Sequence, residues 1–99
     1  MKTVKYTVIV QSILGPRSGE LKLNIYEKRV SGSFSLLGSQ NALSGQELQS
    51  DKYLISGMLT SGTERDPYDG ILVLKDGKLR GGLFTPYGCW DMTGILVSK

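Results

Sequence analysis

Apolar and polar side chains alternate along most of the chain, and glycine interrupts the alternation at regular intervals. In the segment YLISGMLT, residues 53–60, one side of the extended chain carries Tyr53, Ile55, Gly57 and Leu59. Similar phrases surround seven glycines spaced 11 to 13 residues apart: Gly19, Gly32, Gly45, Gly57, Gly70, Gly81 and Gly94. This period is too short for a pair of helices, but it fits one strand of about eight or nine residues followed by a tight turn.

Turn-forming sequences lie between these phrases. They are GPRS at 15–18, EK at 27–28, GSQN at 38–41, QSDK at 49–52, SGTERDP at 61–67, DG at 76–77 and TPYG at 85–88. The Asp-Gly pair is the strongest of them, because a type I′ hairpin turn needs positive φ at both central residues. Seven turns separate eight strands, and no segment shows the period of an amphipathic helix.

Eight consecutive antiparallel strands either close on themselves or leave two exposed edges. Closure removes the edges, and eight strands make a barrel that is just filled by side chains or holds one small ligand. The sequence therefore predicts an all-β, single-domain, eight-stranded antiparallel up-and-down meander barrel over residues 1–99. The alternative is an open, twisted meander, since YDGILVLKDGKLRGGLFT at 68–85 resembles the Tyr-x-Gly and Asn/Asp-Gly-Lys phrasing of MORN repeats.

The glycines share a strand face with large apolar residues, so the alternation places them inside the barrel. Two explanations for them are open at this point. Glycine relieves crowding where a strand bends sharply or where two backbones approach closely. Alternatively, the missing side chains leave a pocket of the roughly 300 Å³ or more that a small ligand needs.

Inward residues that break the apolar pattern are the candidate ligand contacts. They are Tyr6, Tyr53, Tyr68, Trp90, Glu47 and Arg17. The aromatic residues are equally expected as core residues whose hydroxyl or indole N–H reaches the rim. Strict alternation turns Glu47 inward, with Arg17 as a candidate partner. A bulge at residues 46–47 that returns Leu48 to the core is the favoured explanation, and Arg17, as a turn arginine, is expected in solvent.

The outward-facing residues differ between the two halves of the predicted barrel. In strands two to four they are nearly all polar, whereas strands five to eight carry an apolar set, which Ile9 of strand one joins if the barrel closes. This set is Leu54, Met58, Ile71, Val73, Phe84, Ile95 and Val97. An apolar surface of this size is normally covered, and a second copy is the expected partner in a two-fold homodimer. The competing account is a flattened barrel in which a bulge reverses the alternation and buries these residues.

Charge and composition limit the partners. Twelve basic and nine acidic residues give a net charge of +3. Because the two signs are interleaved along the chain, we expect a solvated surface and no nucleic-acid partner. No apolar run approaches the length of a membrane span, so no membrane partner is expected. The single cysteine, Cys89, agrees with a reducing cytoplasm.

An enzyme is the third-ranked expectation. The chain has no histidine, the commonest general base and metal ligand. Cys89 faces outward beside Tyr87 and lacks an activating histidine, so we expect a partly covered small apolar residue and no nucleophile. Glu64, Asp66 and Asp69 could hold a hard cation, but a solvated loop is favoured. We therefore expect no catalysis, no cofactor and no metal.

Eight meandering strands and phrases such as GSFSLLG at 32–38 resemble the calycin-like barrels, the lipocalins and avidins with their small bacterial relatives. The resemblance implies that an open interior would bind small apolar molecules. The chain lacks the Gly-x-Trp of lipocalins, and Trp90 stands alone where an avidin-like biotin site has several tryptophans, so neither ligand class carries over. We expect a non-catalytic barrel that binds a small apolar molecule in its interior, or alternatively a structural or self-assembly module with a packed core.

Overall fold

The computed structural model of the chain is a closed barrel of eight antiparallel strands in up-and-down order. It describes residues 2–12, 15–36, 38–61 and 64–98. The strands are β1 (Lys2–Ser12), β2 (Gly15–Tyr26), β3 (Arg29–Leu36), β4 (Ser39–Gln49), β5 (Lys52–Ser61), β6 (Glu64–Lys75), β7 (Lys78–Thr85) and β8 (Gly88–Ser98). Nowhere in these ranges is there a helix long and apolar enough to cross a membrane. The predicted meander barrel is confirmed, and the open meander is wrong because β8 pairs with β1.

The barrel measures 34 × 20 × 20 Å and has two distinct ends. The end that we call proximal carries the start of β1 and the three two-residue turns at 27–28, 50–51 and 76–77. The opposite, distal end carries the turn at 86–87, the end of β1 with the start of β2, the end of β3 with the start of β4, and the end of β5 with the start of β6. Successive strands therefore run alternately from proximal to distal and back.

The proximal turns have the positive φ angles that tight hairpins require. At 76–77, φ is 56° for Asp76 and 75° for Gly77, as expected for the predicted type I′ turn. The distal turns were predicted too long. The strands begin at Gly15, Ser39 and Glu64, so most of the residues predicted as turns at 15–18, 38–41 and 61–67 are strand; residues 62–63 lie outside the described ranges.

The core lies inside the barrel and receives side chains from all eight strands. The most deeply buried are Phe34, Leu21, Leu23, Ile55, Leu72, Leu79, Leu83, Met92, Val8 and Val10. Alternation therefore predicted the inner and outer faces correctly. Phe84 and Ile95, both predicted to face outward, are 48% and 68% exposed, so the flattened barrel with reversed alternation is wrong.

The inward glycines are crowded by the backbone of neighbouring strands. A β-carbon at Gly32 would overlap the carbonyl oxygen of Lys22, and one at Gly81 would overlap that of Ile71. Gly45 is crowded in the same way by the strand beside it. These glycines are required because adjacent strands approach closely, which is the first of the two explanations left open by the sequence.

Bulky side chains fill the space beside the glycines. Each of the seven pairs across the ladder with a large apolar residue, as Gly70 does with Ile55 and Leu83. At Gly57 the neighbour is Tyr68, whose hydroxyl would lie 2.9 Å from an added β-carbon. Glycines alternate with large side chains around the waist of the barrel. The described strands therefore fill the interior at this level, and no continuous pocket passes between them.

Two adjacent glycines on β7 give a matched test of this packing. We expect Gly81→Ala to destabilise the fold by about 1–3 kcal/mol, because its methyl group meets the carbonyl of Ile71. Gly82 faces outward, and its nearest neighbour would be the Trp90 carbonyl oxygen at 3.6 Å. Gly82→Ala should therefore change stability by no more than about 1 kcal/mol. Urea unfolding monitored by circular dichroism measures both; equal losses would contradict the crowding argument.

Candidate functional site

The six predicted ligand contacts fall at two ends of the barrel. Tyr6, Tyr53 and Glu47 lie in the proximal half, and the other three lie in the distal half. Arg17 pairs with Val10 near the distal end of β1, and its guanidinium donates to the adjacent Pro16 carbonyl oxygen at 3.1 Å. The prediction of Arg17 as a partner for Glu47 is therefore wrong, because the barrel separates them along its length.

The proximal end opens into a cup of about 410 Å³, which we call the proximal cup. Its apolar part is formed by Val4, Ile25, Leu74 and Leu96, with Tyr6 and Tyr53 among them, and its rim by Lys2, Asp51, Lys75, Asp76 and Gly77. This volume lies within the usual range of small-molecule sites. The chain thus has a concave surface at one end although its waist is packed.

Two tyrosines reach into the cup from opposite walls. Tyr6 belongs to β1 and Tyr53 to β5, which are four strands apart in a ring of eight. Both side chains are buried, and burial raises the pKa of each hydroxyl above its ordinary value. Tyr6 also contributes to raising the pKa of Tyr53, so the two hydroxyl groups are within electrostatic range across the opening.

Glu47 lies on the strand next to Tyr53 and does not itself line the cup. It pairs directly with Tyr53, so both side chains project from the same face of the sheet, and Glu47 is half-buried. The register of β4 shifts between Glu47 and Gln49, and Leu48 is 44% exposed. The favoured prediction, a bulge at 46–47 that returns Leu48 to the core, is wrong: the irregularity comes after Glu47 and leaves the carboxylate inward.

Two carboxylates act on the Tyr53 hydroxyl. After burial, the largest causes that raise the pKa of Tyr53 are the charges of Glu47 and then Asp51. Both carboxylates therefore oppose the loss of a proton from the Tyr53 hydroxyl. The hydroxyl stays neutral and remains a hydrogen-bond donor.

Backbone hydrogen bonds hold the rim of the cup in place. Three N–H groups donate to turn carbonyl oxygens at 2.8 Å: Glu47 to Lys28, Leu74 to Asp51, and Leu96 to Gly77. Each of these bonds ties a proximal turn to the strand that follows its hairpin. Because two of the donors line the cup and the third is the inward glutamate, the same bonds position the side chains of the site.

Tyr68 and Trp90 belong to the distal half and do not approach the cup. Tyr68 is 3% exposed and contacts Phe34 edge to face, with ring centroids 6.0 Å apart. Its hydroxyl has no hydrogen-bond partner among the described residues, and burial raises its pKa to about 12. Trp90 is partly buried against the core. Both aromatic residues thus pack against the core, and Tyr68 also lines a cavity of about 610 Å³.

Glu64, Asp66 and Asp69 were weighed as a cation site, with a solvated loop favoured. Asp66 and Asp69 project from opposite faces of β6, and the side chain of Glu64 lies outside the described residues. Within the described part of the chain, no group of three acidic, cysteine or histidine residues could hold a metal ion. Cys89 is exposed opposite Phe84, so the expected partial cover of its thiol is wrong.

The predicted apolar residues lie on the outer side of β5 to β8 and β1, with Lys78 and Arg80 of β7 among them, and we call this set the outer apolar face. Its members are Ile9, Leu54, Met58, Ile71, Val73, Phe84, Ile95 and Val97. Five of them are classed as exposed large apolar side chains, and Ile71 pairs with Leu54 and with Gly82 near the middle of the surface. This face spans β5 to β8 and reaches β1.

Sequence reasoning missed most of the cup. The apolar residues Val4, Ile25, Leu74 and Leu96 follow the core pattern, and nothing in that pattern marks them as lining an opening. The rim residues could have been found, since Asp51 and Asp76 occupy turns that alternate strand direction places at the same end.

No protein-family model matches this chain, and no curated protein or solved structure shows significant similarity to it. The resemblance to calycin-like barrels therefore rests on architecture. A closed, eight-stranded antiparallel meander is compatible with that architecture.

The buried Tyr68 hydroxyl predicts a pH dependence. Below pH 10 this tyrosine is neutral in both the folded and the unfolded chain. Between its ordinary pKa of 10.0 and its folded pKa of about 12, the unfolded chain loses the proton first, so stability falls as pH rises. The expected contribution is about 2–3 kcal/mol lost by the upper end of this range.

Tyr68→Phe isolates this effect. At neutral pH the variant should be as stable as the parent or up to about 1 kcal/mol more stable, because it removes a buried hydroxyl without a partner. Its stability should then fall less than that of the parent between pH 10 and 12. Urea unfolding across this pH range measures the difference, and identical falls in both proteins would disprove the assignment.

Proposed function

We propose that the protein is a non-catalytic, calycin-like barrel that binds a small, largely apolar molecule in the proximal cup. The observation that carries this proposal is the convergence of Tyr6 and Tyr53 from opposite walls of a cup that combines apolar side chains with a larger polar lining. Their cup is open to solvent and has a rim fixed by backbone hydrogen bonds. Preorganised concave sites with a few polar groups on apolar walls are typical of small-molecule binding.

The packed waist limits where a ligand can lie. Backbone carbonyls occupy the positions next to Gly32, Gly45 and Gly81, and bulky side chains fill the space between the walls. A ligand therefore sits in the cup and does not enter the middle of the barrel. This favours a molecule of few heavy atoms over the long apolar ligands that an open interior would admit.

The charges near Tyr53 favour one kind of polar group on the ligand. The charges of Glu47 and Asp51 act on this hydroxyl, and Glu47 is half-buried on the strand beside Tyr53. The rim lysines, Lys2 and Lys75, are exposed and strongly hydrated. A cationic or hydrogen-bond-donating head group is therefore favoured over a carboxylate when the apolar body is the same.

Hexylammonium and hexanoate, which share an apolar chain and differ in charge, test this proposal. We expect hexylammonium to shift amide resonances of the cup in ¹⁵N NMR spectra and to bind more tightly than hexanoate. Glu47→Gln should weaken hexylammonium binding by about threefold, in keeping with a partly solvated charge interaction. Arg17→Gln, at the distal end, is the matched control and should bind like the parent.

Shifts confined to the outer apolar face, or equal effects of the two probes on every amide, would contradict the cup as the site. Tyr53→Phe separates the role of the Tyr53 hydroxyl from that of its ring. Loss of the hydroxyl should weaken binding while leaving the fold intact, because the ring keeps its contacts in the core.

Self-association is a second proposed function, and the outer apolar face favours it. Phe84 is 48% exposed and Ile95 is 68% exposed, on the same side of the barrel as Val73 and Ile9. The opposite side, on β2 and β3, is polar and carries the Lys5–Glu20 ion pair at its edge, with 3.2 Å between the charged atoms. A second copy of the chain would cover the exposed apolar residues of this side.

Light scattering at micromolar concentration tests this second function. We expect a dimeric parent and a folded, monomeric variant carrying Ile71→Lys and Val73→Glu, because two charges in the centre of the face cannot be buried without cost. The matched control carries Ser33→Lys and Ser35→Glu on the polar side and should remain dimeric. A monomeric parent would remove self-association.

A further inference from the structure

The outer side of β7, β8 and β1 carries a groove of about 490 Å³, which we call the outer groove. Outward side chains of these three strands line it, and its exposed lining is mostly apolar. They lie in two rows across the sheet: Lys78, Ile95 and Thr7 in one, and Arg80, Thr93 and Ile9 in the other. The volume of the groove is within the usual range of small-molecule sites.

Two isoleucines form the apolar part of the groove. Ile95 is 68% exposed, the largest value among the large apolar side chains of the described ranges, and Ile9 is 44% exposed. Both point away from the core, so packing inside the barrel does not explain either residue. Exposed apolar side chains that line one concave surface are typical of a binding site.

Two cationic side chains border the groove on its β7 side. Lys78 and Arg80 are exposed, and neither forms an ion pair with any side chain in the part of the chain that the structure describes. Lys75 pairs with Lys78 across the β6–β7 ladder and adds a third positive charge on the same outer side. An anion in the groove would therefore meet cations that have no partner within the chain.

The nearby carboxylates do not line the groove. Asp91 lies two positions before Thr93 on β8, at the distal end of the groove. Glu20 lies on the far side of β1 and is ion-paired with Lys5, with 3.2 Å between the charged atoms. Asp76 lies in the turn before β7 and lines the proximal cup. The balance of charge beside the outer groove is therefore positive.

We propose that the outer groove binds a small amphiphilic anion, a carboxylate on a short alkyl chain or a ring. The carboxylate accepts hydrogen bonds from the Arg80 guanidinium and the Lys78 ammonium group, and the apolar body covers Ile95 and Ile9. This is a second ligand site, separate from the proximal cup and of opposite charge preference. It does not rest on self-association, because the anion covers these two isoleucines without a second copy.

The spacing of the strands fits this orientation of the ligand. β7 and β1 lie on either side of β8, so their outer side chains are two inter-strand spacings, or about 10 Å, apart. A carboxylate at Arg80 thus allows a chain of that length to cross β8 and to reach Ile9 on β1. Thr93 lies between Arg80 and Ile9 in the same row and offers a hydroxyl beside the head group.

The head group is argued from the geometry of its donors. A guanidinium presents paired N–H groups that match the two oxygens of a carboxylate, and the neighbouring ammonium group adds a further donor. A cationic head group would meet Arg80, Lys78 and Lys75 and would be repelled. An inorganic anion would lack the body that covers the isoleucines.

Octanoate and octylammonium, which share a chain and differ in charge, test the site. In ¹⁵N NMR spectra of the parent, octanoate should cause saturable shifts of amide resonances around residues 7–9, 78–80 and 93–95. Octylammonium and inorganic phosphate should leave these amides nearly unchanged. The inference is overturned if octanoate does not shift them, or if either of the other two probes shifts them as strongly.

Neutral substitutions test the role of each side chain. Arg80→Gln and Lys78→Gln should each weaken octanoate binding by about threefold, in keeping with solvated charge interactions. Ile95→Ser should weaken it by about fivefold, because the chain of the ligand loses its apolar contact. Lys22→Gln, on the polar side of β2, is the matched control for charge and should bind octanoate like the parent. Equal affinities of Arg80→Gln and the parent would overturn the proposed head-group contact.

Asp91→Asn gives a readout of opposite sign. Removing the carboxylate at the distal end of the groove should strengthen octanoate binding by up to about threefold, because it removes a repulsion. Damage to the fold would not produce such a gain. Unchanged or weaker binding by this variant would contradict an anion held next to Arg80.

Vesicles distinguish a free anion from a membrane surface. The parent should stay in solution when it is sedimented with phosphatidylserine vesicles at the salt concentration of the octanoate titration. Sedimentation with these vesicles, without saturable octanoate shifts, would overturn the inference in favour of an anionic lipid surface.

Discussion

The close approach of neighbouring strands at the inward glycines is the constraint on which the rest of the structure depends. The carbonyl oxygens of Lys22 and Ile71 occupy space that a β-carbon would need at Gly32 and Gly81. With no β-carbon in the way, short strands coil tightly enough for eight of them to close into a barrel 20 Å wide. Closure in turn pairs the backbone groups at the edges of β1 and β8 with each other.

Close approach also determines where the molecule can interact with anything else. A waist packed by backbone and by residues such as Leu72 and Met92 has no room for a ligand of useful size. The surfaces left are the ends of the barrel and its outer side. At the proximal end, three turn carbonyls hold the strands that carry Glu47, Leu74 and Leu96, so the cup is formed by the same hairpins that close the fold.

Alternation predicted which residues face inward and outward, but it predicted less well what those residues do. Tyr53 and Tyr68 share the inner face, yet one lines an opening and the other packs edge to face on Phe34. A bulge at residues 46–47 was expected to return Leu48 to the core and to leave Glu47 outside. The register of β4 shifts after Glu47 instead, and Leu48 is exposed. A bulge of one residue reverses the face of everything beyond it, and its position depends on the neighbouring strand.

The sequence by itself determined the number of strands, their order and the two faces of each, because a period of two within strands and of about twelve between glycines has few other solutions. It also determined that one side of the outer surface is apolar. Only the tertiary structure decided that Tyr6, Tyr53 and Glu47 lie in the same half of the barrel while Arg17 lies at the far end. The periodicity gives the direction of a side chain, whereas its height in the barrel depends on the register of all the strands around the ring, which no local pattern encodes.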